Sequence, residues 1–252
     1  MHPIERIRAL ARASWLDAKT VAIEAADAIG DAYMWMDEAA AVSVARRLLA
    51  WHPYCGPLWL VCGEVLYAVD PVQASRDAIE HLLDDSTGLA LDIALAEGSR
   101  PYLVGRCRAM DELGDGGGAR SLRDATHLVV GASVMGPTGL VSHSPAAALV
   151  AEAAHAGMPV WAVAEIGTAV DARLWQRLAH LVDDAFVQPP TTAISDLWWD
   201  EHDTDAPEPC CVGLDALTWV CGPEGLEVPA EAAAAGPPTP ADLLDAAGAP
   251  AF

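Results

Sequence analysis

The sequence predicts an α/β protein in which an N-terminal helical bundle is followed by a Rossmann-like parallel sheet domain. Residues 4–83 contain no convincing strand pattern, and their apolar residues recur at helical spacing. Residues 127–132 and 158–164 are continuous apolar runs, which are typical of strands buried on both faces of a parallel sheet. Because helical stretches separate these runs, we expect right-handed crossovers between parallel neighbours.

Capping residues and prolines divide the first third of the chain into helices. The first helix begins near Asp17 and Thr20, and the second covers about residues 36–50. The second ends before Pro53, because the residue preceding a proline avoids helical backbone. A third helix covers residues 57–69, and Pro71 opens a fourth that runs to residue 83. We therefore expect residues 1–82 to form a helical domain.

Strands and helices alternate in the middle of the chain. The order is a helix capped by Ser86, a strand at 101–107, a glycine loop at 114–118, the two buried strands and a helix at 171–182. These residues lie within a predicted α/β domain that spans residues 83–229. Residues 230–252 are rich in Ala, Gly and Pro, which predicts a tail that is loose apart from a turn at 241–247.

Charge and composition exclude several functions. The chain has 14 Lys+Arg against 36 Asp+Glu, a net charge of −22, and no lysine or arginine follows Arg177. A surface this negative repels phosphodiester backbones, so direct nucleic-acid binding is not expected. No apolar run reaches the roughly 18 residues of a membrane span, and no signal-peptide pattern is visible, which predicts a cytoplasmic protein.

The six cysteines form no CxxC pair and no zinc-like cluster. We therefore predict neither a metal nor a cofactor. Cys55, Cys62 and Cys107 have apolar neighbours, which favours buried and inert thiols.

Three stretches of the sequence resemble the motifs of a known protein family and occur in the same order. Residues 124–133 read Asp-Ala-Thr-His-Leu-Val-Val-Gly-Ala-Ser, and Gly139-Leu-Val-Ser-His143, an alanine-rich helix and a Gly-Met-Pro strand follow. Residues 213–229 hold a hydrophobic strand, Gly-Pro-Glu-Gly and a final proline, while residues 46–53 read Arg-Arg-Leu-Leu-Ala-Trp-His-Pro. This order resembles the translation initiation factor 2B alpha, beta and delta subunits. Relatives of that family include methylthioribose-1-phosphate isomerase and ribose-1,5-bisphosphate isomerase.

The sequence departs from the resemblance at the isomerase residues. The isomerases of the family use a cysteine in a Thr-x-Cys-Asn loop and the aspartate of a Gly-Ala-Asp motif. Here the loop contains Asp84 and Asp85 but no cysteine, and Ser133 replaces the aspartate. A serine does not titrate near neutral pH, and each positioned acid or base typically contributes ~100- to 10,000-fold in rate. The resemblance and its departures therefore predict a protein without catalytic residues.

Two loops remain as predicted binding sites for a sugar phosphate or nucleotide. The first enters a helix after Asp85, and the second, where the family has Asn-Lys, precedes Pro145. Helix N-termini bind anions, although Asp84 and Asp85 oppose an anion at the first loop. The alternative is that Ser86 and Ser144 are only helix N-caps. The predicted ligand-binding residues are Ser86, Thr87, Gly88, Arg100, Gly131, Ser133, Ser142 and His143.

Three functional hypotheses follow. The first is a non-catalytic regulatory or scaffold protein that binds a sugar phosphate or nucleotide. The second is a sugar-phosphate isomerase with relocated groups, His143 with Glu165 or Asp171, and the third is a protein-interaction module that uses its helical domain. The resemblance implies pairing through the sheet domains, and the apolar residues at 214–228 support a homodimer.

Overall fold

The computed structural model describes residues 6–7, 9–10, 16–96, 98–113, 118–187 and 208–247, with side chains to residue 182 in the long helix that ends at 187. Part of the predicted glycine loop, residues 114–117, and the last five residues lie outside this set. Four helices follow one another in the first third: α1 (Ala18–Trp35), α2 (Glu38–Trp51), α3 (Gly56–Leu66) and α4 (Pro71–Leu83). The predicted helical bundle is therefore confirmed.

Aspartate side chains start three of these helices. Asp17, Asp37 and Asp70 each accept a hydrogen bond from a backbone N–H in the first turn of α1, α2 and α4. Such caps stabilise a helix because its first N–H groups have no partner within the helix. The apolar faces of the four helices pack into one core, in which Ile29, Leu48, Leu49, Leu58 and Leu82 are among the largest buried side chains.

A five-stranded sheet follows the bundle. Its strands are β1 (Pro101–Val104), β2 (His127–Gly131), β5 (Val160–Val163), β7 (Trp219–Gly222) and β8 (Gly225–Glu227), in that spatial order. The first four are parallel, and β8 pairs antiparallel with β7. The mixed α/β architecture with a mainly parallel sheet agrees with the prediction.

Helices cover both faces of this sheet. α7 (Ala146–His155) and α9 (Pro229–Ala234) pack on the face that carries Leu128 and Val130. α5 (Thr87–Ala94) and the short α6 (Arg108–Asp111) pack on the face that carries Val129. Side chains of successive residues point to opposite faces of a strand, so a strand covered on both sides has to be continuously apolar.

A second, three-stranded antiparallel sheet was not predicted. It consists of β3 (Val134–Gly136), β4 (Gly139–His143) and β6 (Pro209–Gly213), in the order β3-β4-β6. β3 and β4 form a hairpin directly after β2. The indole of Trp175 lies against Gly136 and donates a hydrogen bond to Thr138 Oγ1 at 2.7 Å. Strands of three to five residues give too little alternation to be recognised from sequence.

The C-terminal segment is packed rather than loose before residue 241, because α9 buries Ala232 and Ala233; this corrects the prediction for residues 230–240, while the predicted turn at 241–247 is present. Leu243 and Leu244 are buried in the same core as the helical bundle and the long helix α8 (Ala172–Val187). Arg177 donates a hydrogen bond to the carbonyl of Leu244 at 2.6 Å. The predicted boundary at residue 230 falls inside α9, and the division into residues 1–82, 83–229 and 230–252 stays a prediction. Among the described residues, no helix is long and apolar enough to cross a membrane.

Candidate functional site

The candidate site lies at the edge of the sheet where the parallel strands end. β1, β2 and β5 end at Val104, Gly131 and Val163, and the loops after β2 and β5 contact the start of α3. Gly105 follows β1 with a φ of +95°, and a Cβ there would lie 3.0 Å from the carbonyl oxygen of Gly131. Only glycine fits this turn without strain. In open α/β sheets this edge is the usual place for a ligand.

Asp85 is the most heavily hydrogen-bonded side chain at this edge. Its Oδ1 accepts hydrogen bonds from Thr87 N at 3.0 Å and Thr87 Oγ1 at 2.6 Å. Its Oδ2 accepts a hydrogen bond from Ile166 N at 3.1 Å and lies 3.4 Å from Lys19 Nζ. Asp85 is thus surrounded by a helix N-terminus, a hydroxyl, a loop amide and an ammonium. These are the donors that a small anion requires. The carboxylate of Asp85 therefore occupies an anion site within its own chain.

Lys19 is the only lysine of the protein. Its side chain, in the first turn of α1, is 6 % exposed, and that of Asp85 is 1 % exposed. A buried charge is stable only when it is paired and hydrogen-bonded, and this ion pair satisfies that condition. The pair thereby fixes the start of α1 to the loop before α5.

Glu165 is the second residue after β5 and is 7 % exposed. Burial raises its pKa and the carboxylates of Asp85 and Asp17 raise it further, while the hydrogen bond from Ala109 N and the charge of Lys19 act in the opposite direction. The bond from Ala109 N to Glu165 Oε1 is 3.0 Å long. A buried carboxyl with a raised pKa at this edge is a typical feature of a functional site.

Cys107 lies beside Glu165. Burial raises the pKa of its thiol, and the neighbouring carboxylate of Glu165 raises it further. The thiolate is the reactive form of cysteine, so this thiol is unreactive at neutral pH. The sequence-based interpretation of Cys107 as a buried, inert cysteine agrees with this geometry.

The first predicted loop has its donors already in use. Thr87 is bonded to Asp85, and the hydroxyl of Ser86 donates to the carbonyl of Pro223 at 3.0 Å. Gly88 lies against the carboxylate of Glu112, which is the end of an exposed side chain. Ser86 makes no capping bond to α5, and no side chain caps α7 within the described residues. Ser86 thus occupies the N-cap position of α5 without a capping hydrogen bond, and the N-cap of α7 is Pro145 rather than Ser144.

The second predicted loop is partly buried. Ser142 is fully buried and donates its hydroxyl to the carbonyl of Gly131 at 2.8 Å. Ser133 is buried, and its carbonyl accepts a hydrogen bond from Gly56 N at 2.9 Å. The Nδ1 atom of His143 is buried without a hydrogen-bond partner, and burial followed by the charge of Arg106 lowers the pKa of this imidazole.

The predicted roles of Arg100 in ligand binding and of Asp171 in isomerisation do not fit the site. Arg100 precedes β1 and lies at the opposite, amino edge of the sheet, whereas Arg106 follows β1 at the carboxyl edge. Asp171 accepts backbone hydrogen bonds from Arg173, Leu174 and Thr239, and these bonds lower its pKa although partial burial acts to raise it. Asp171 therefore caps α8 and joins it to the C-terminal segment.

Lys19, Asp85 and Cys107 were not predicted as site residues. One signal for Lys19 is present in the sequence, because it is the only lysine in an arginine-using chain. No signal marks Asp85 as an internal ligand. Among the described residues, no group of three or more His, Cys, Asp or Glu is placed to hold a metal ion.

Comparison with known proteins decides the fold. No family model matches the sequence, and no curated protein matches it. The structure, in contrast, superposes on translation initiation factor eIF-2B from Pyrococcus horikoshii with a TM-score of 0.67 and 12 % identity, covering 91 % of this chain and 98 % of that one. The chain has the initiation factor 2B fold.

Two further structures agree with this initiation factor 2B fold. A chain of the tetrameric eIF2B-beta2-delta2 complex from Chaetomium thermophilum matches with a TM-score of 0.61 and 11 % identity, over 92 % of both chains. The 5-methylthioribose 1-phosphate isomerase of P. horikoshii matches with a TM-score of 0.53 and 12 % identity, over 90 % of this chain and 84 % of that one. The fold that the sequence resemblance predicted is confirmed.

Proposed function

We propose that the protein is a non-catalytic regulatory or scaffold protein with the initiation factor 2B fold. The observation that carries this proposal is the filled anion site, in which Asp85 takes four donors from Thr87, Ile166 and Lys19. A phosphate at this position would have to displace a carboxylate that is covalently part of the chain.

The chemistry of the neighbouring groups supports the same conclusion. Aldose–ketose isomerisation needs a group that moves a proton between two carbons and a partner that handles the oxygens. Ser133 has no titratable group near neutral pH, and the raised pKa of Cys107 keeps its thiol protonated. Lys19 is bound to Asp85, so neither is available as a base or nucleophile.

We place the proposed sugar-phosphate or nucleotide site at the second loop. His143 has an unpartnered ring nitrogen, Arg106 lies close enough to lower its pKa, and the N-terminus of α7 has no side-chain cap in the described residues. These groups would contact the phosphate of a ligand, since guanidinium groups, imidazole N–H groups and helix N-termini all bind phosphate.

One observation favours the isomerase as a second candidate. Glu165 combines a raised pKa with a position at the ligand edge of the sheet, which are the properties of a general acid or base. Its hydrogen bond to Ala109 and its contact with Cys107 occupy part of that carboxylate.

The two candidates differ in an isomerase assay. We expect purified protein incubated with ribose 1,5-bisphosphate or 5-methylthioribose 1-phosphate to form no ketose above background. Turnover of ~1 per second or more, abolished by Glu165→Gln or His143→Ala, would establish the isomerase instead. Ser43→Ala, at an exposed position of α2 outside both loops, is the control for these substitutions.

We also propose a homodimer that buries part of residues 214–228. Trp219, Leu226 and Val228 are exposed on or next to β7 and the edge strand β8, whereas Leu217 and Val220 are already buried within the chain. Exposed apolar side chains grouped at a sheet edge are typical of an interaction surface. The tetramer named for the C. thermophilum complex supports assembly as a property of this fold.

Salt should strengthen this dimer. Each chain carries a net charge of −22, so two chains repel each other, and this repulsion falls as ionic strength shortens the screening length. We expect light scattering at micromolar protein to show the dimer fraction rising with salt concentration, and Leu226→Asp to lower it. A particle that keeps the monomer mass from low to high salt would contradict the proposal.

A further inference from the structure

Exposed apolar side chains gather at one end of the helical bundle. α1 and α3 both end there, and Tyr33 in the last turn of α1 lies close enough to Tyr67 for the two phenol groups to interact electrostatically. We call residues 34–38 and 67–70 the bundle end. Of the eleven exposed large apolar side chains in the described part of the chain, five belong to it: Met34, Trp35, Met36, Tyr67 and Val69.

These side chains stand on a fixed backbone. Trp35 is 75 % exposed, although the N–H of Met36 beside it donates a hydrogen bond to the carbonyl of Ala32 at 2.9 Å. The hydroxyl of Tyr67 donates a hydrogen bond to Asp242. A partner can therefore cover this surface without first ordering its backbone. Tryptophan and tyrosine contribute most to protein interfaces, and methionine adapts its shape to a partner.

The charges around the bundle end are negative. Four exposed carboxylates border it, namely Asp37, Glu38, Asp70 and Asp242. The first two follow Met36 directly along the chain, and the third follows Val69. Arg46 also reaches this end, but it already donates a hydrogen bond to the carbonyl of Asp242 at 3.4 Å.

This charge decides what kind of partner fits. A second copy of the chain would bring the same carboxylates, and anionic lipids and nucleic acids carry charge of the same sign, so each of them is repelled. A basic segment is attracted, and apolar side chains on it would cover Trp35. An amphipathic helix with lysines or arginines on its polar face combines these two properties.

We propose that the bundle end is a docking surface for a basic amphipathic helix of another protein. The apolar face of that helix packs on Met34, Trp35 and Met36, and its basic side chains lie against the bordering carboxylates. The length of α1 places Trp35 about 24 Å from Lys19 at the filled anion site. The inference therefore goes beyond the proposed function, and it depends on neither a ligand at the sheet edge nor the proposed homodimer.

The experiment measures binding of a fluorescein-labelled leucine–lysine peptide by fluorescence anisotropy. The peptide forms an amphipathic helix of about four turns and is titrated with the full-length protein at about 0.15 M salt. We expect saturable binding that Trp35→Ala weakens about 10-fold or more. Leu83→Ala is the matched control, because Leu83 is exposed at the opposite end of α4, and it should leave the affinity within about 2-fold.

Three outcomes of this titration would overturn the proposal. The first is the absence of saturable binding. The second is an equal effect of Trp35→Ala and Leu83→Ala, which would mean that the peptide responds only to the net charge of the protein. The third is equally tight binding of the same peptide with glutamate in place of lysine. Both substituted side chains are exposed, so neither variant loses core packing, and circular dichroism verifies the fold.

A second pair of variants tests the bordering charges. Glu38→Gln should weaken peptide binding about 2- to 5-fold, as expected for an exposed ion pair. Glu80→Gln removes the same charge from an exposed position in the last turn of α4 and should leave the affinity unchanged. An equal loss in both variants would contradict a contact at the bundle end.

Two other occupants are tested with Trp35→Ala. Binding of the protein to phosphatidylcholine or phosphatidylserine vesicles that this substitution abolishes would assign the bundle end to a membrane. A lower particle mass in light scattering of Trp35→Ala than of the unsubstituted protein would assign it to a second copy. Either result would overturn the proposal of a basic helix.

Discussion

Replacement of Lys19 by methionine is expected to lower the free energy of unfolding by about 3–5 kcal/mol. The change removes the cation that lies 3.4 Å from the buried carboxylate of Asp85, while methionine preserves most of the apolar length of the side chain. Asp85 and the neighbouring Glu165 then share a buried site without a positive charge. Urea unfolding, followed by tryptophan fluorescence and circular dichroism, measures the difference.

Two further variants separate the loss of the ion pair from a general effect of losing charge. Arg47→Met removes a positive charge from an exposed position of α2 and should change the stability by no more than about 0.5 kcal/mol. The double variant Lys19→Met with Asp85→Asn should recover part of the loss, because the unpaired negative charge is then absent. If Lys19→Met were as stable as Arg47→Met, the ion pair would not hold α1 to the loop before α5.

Truncation of Leu243 to alanine is expected to cost about 2–5 kcal/mol. Leu243 is fully buried in the core that α1 to α4 and α8 share, so its removal leaves a cavity between segments far apart in sequence. The comparison is Leu89→Ala, because Leu89 is 62 % exposed on α5 and loses little contact on truncation. Chemical denaturation of both variants gives the two differences.

The outcome for Leu243 tests whether the C-terminal segment is part of the folded unit. A loss as small as that for Leu89→Ala would mean that residues 239–247 contribute nothing to the core. We expect residues 239–247 to contribute to the core, because Arg173 donates a hydrogen bond to the carbonyl of Thr239 and Arg177 donates one to that of Leu244.

The filled anion site supports our proposal that this fold is kept here without the chemistry of the isomerases. A carboxylate from the chain itself satisfies the helix N-terminus and the buried lysine, so the site is stable without a ligand.

Local sequence determined the helices and the central strands. The aspartates that start α1, α2 and α4 cap helices through contacts three residues away, and the runs of β2 and β5 are apolar because both faces of each strand are covered. These signals depend on neighbours along the chain, so they are readable from it. The order of motifs then sufficed to predict the initiation factor 2B fold at 12 % identity.

Only the tertiary structure decided what the residues at the site do. Asp85 looks like an obstacle to anion binding when its neighbours in sequence are considered, but its partners Lys19 and Ile166 are 66 and 81 positions away. The C-terminal segment has a composition typical of a loose tail, yet Arg46 donates a hydrogen bond to the carbonyl of Asp242 across 196 positions. Burial, charge pairing and cavity shape arise from such distant contacts, and no local propensity encodes them.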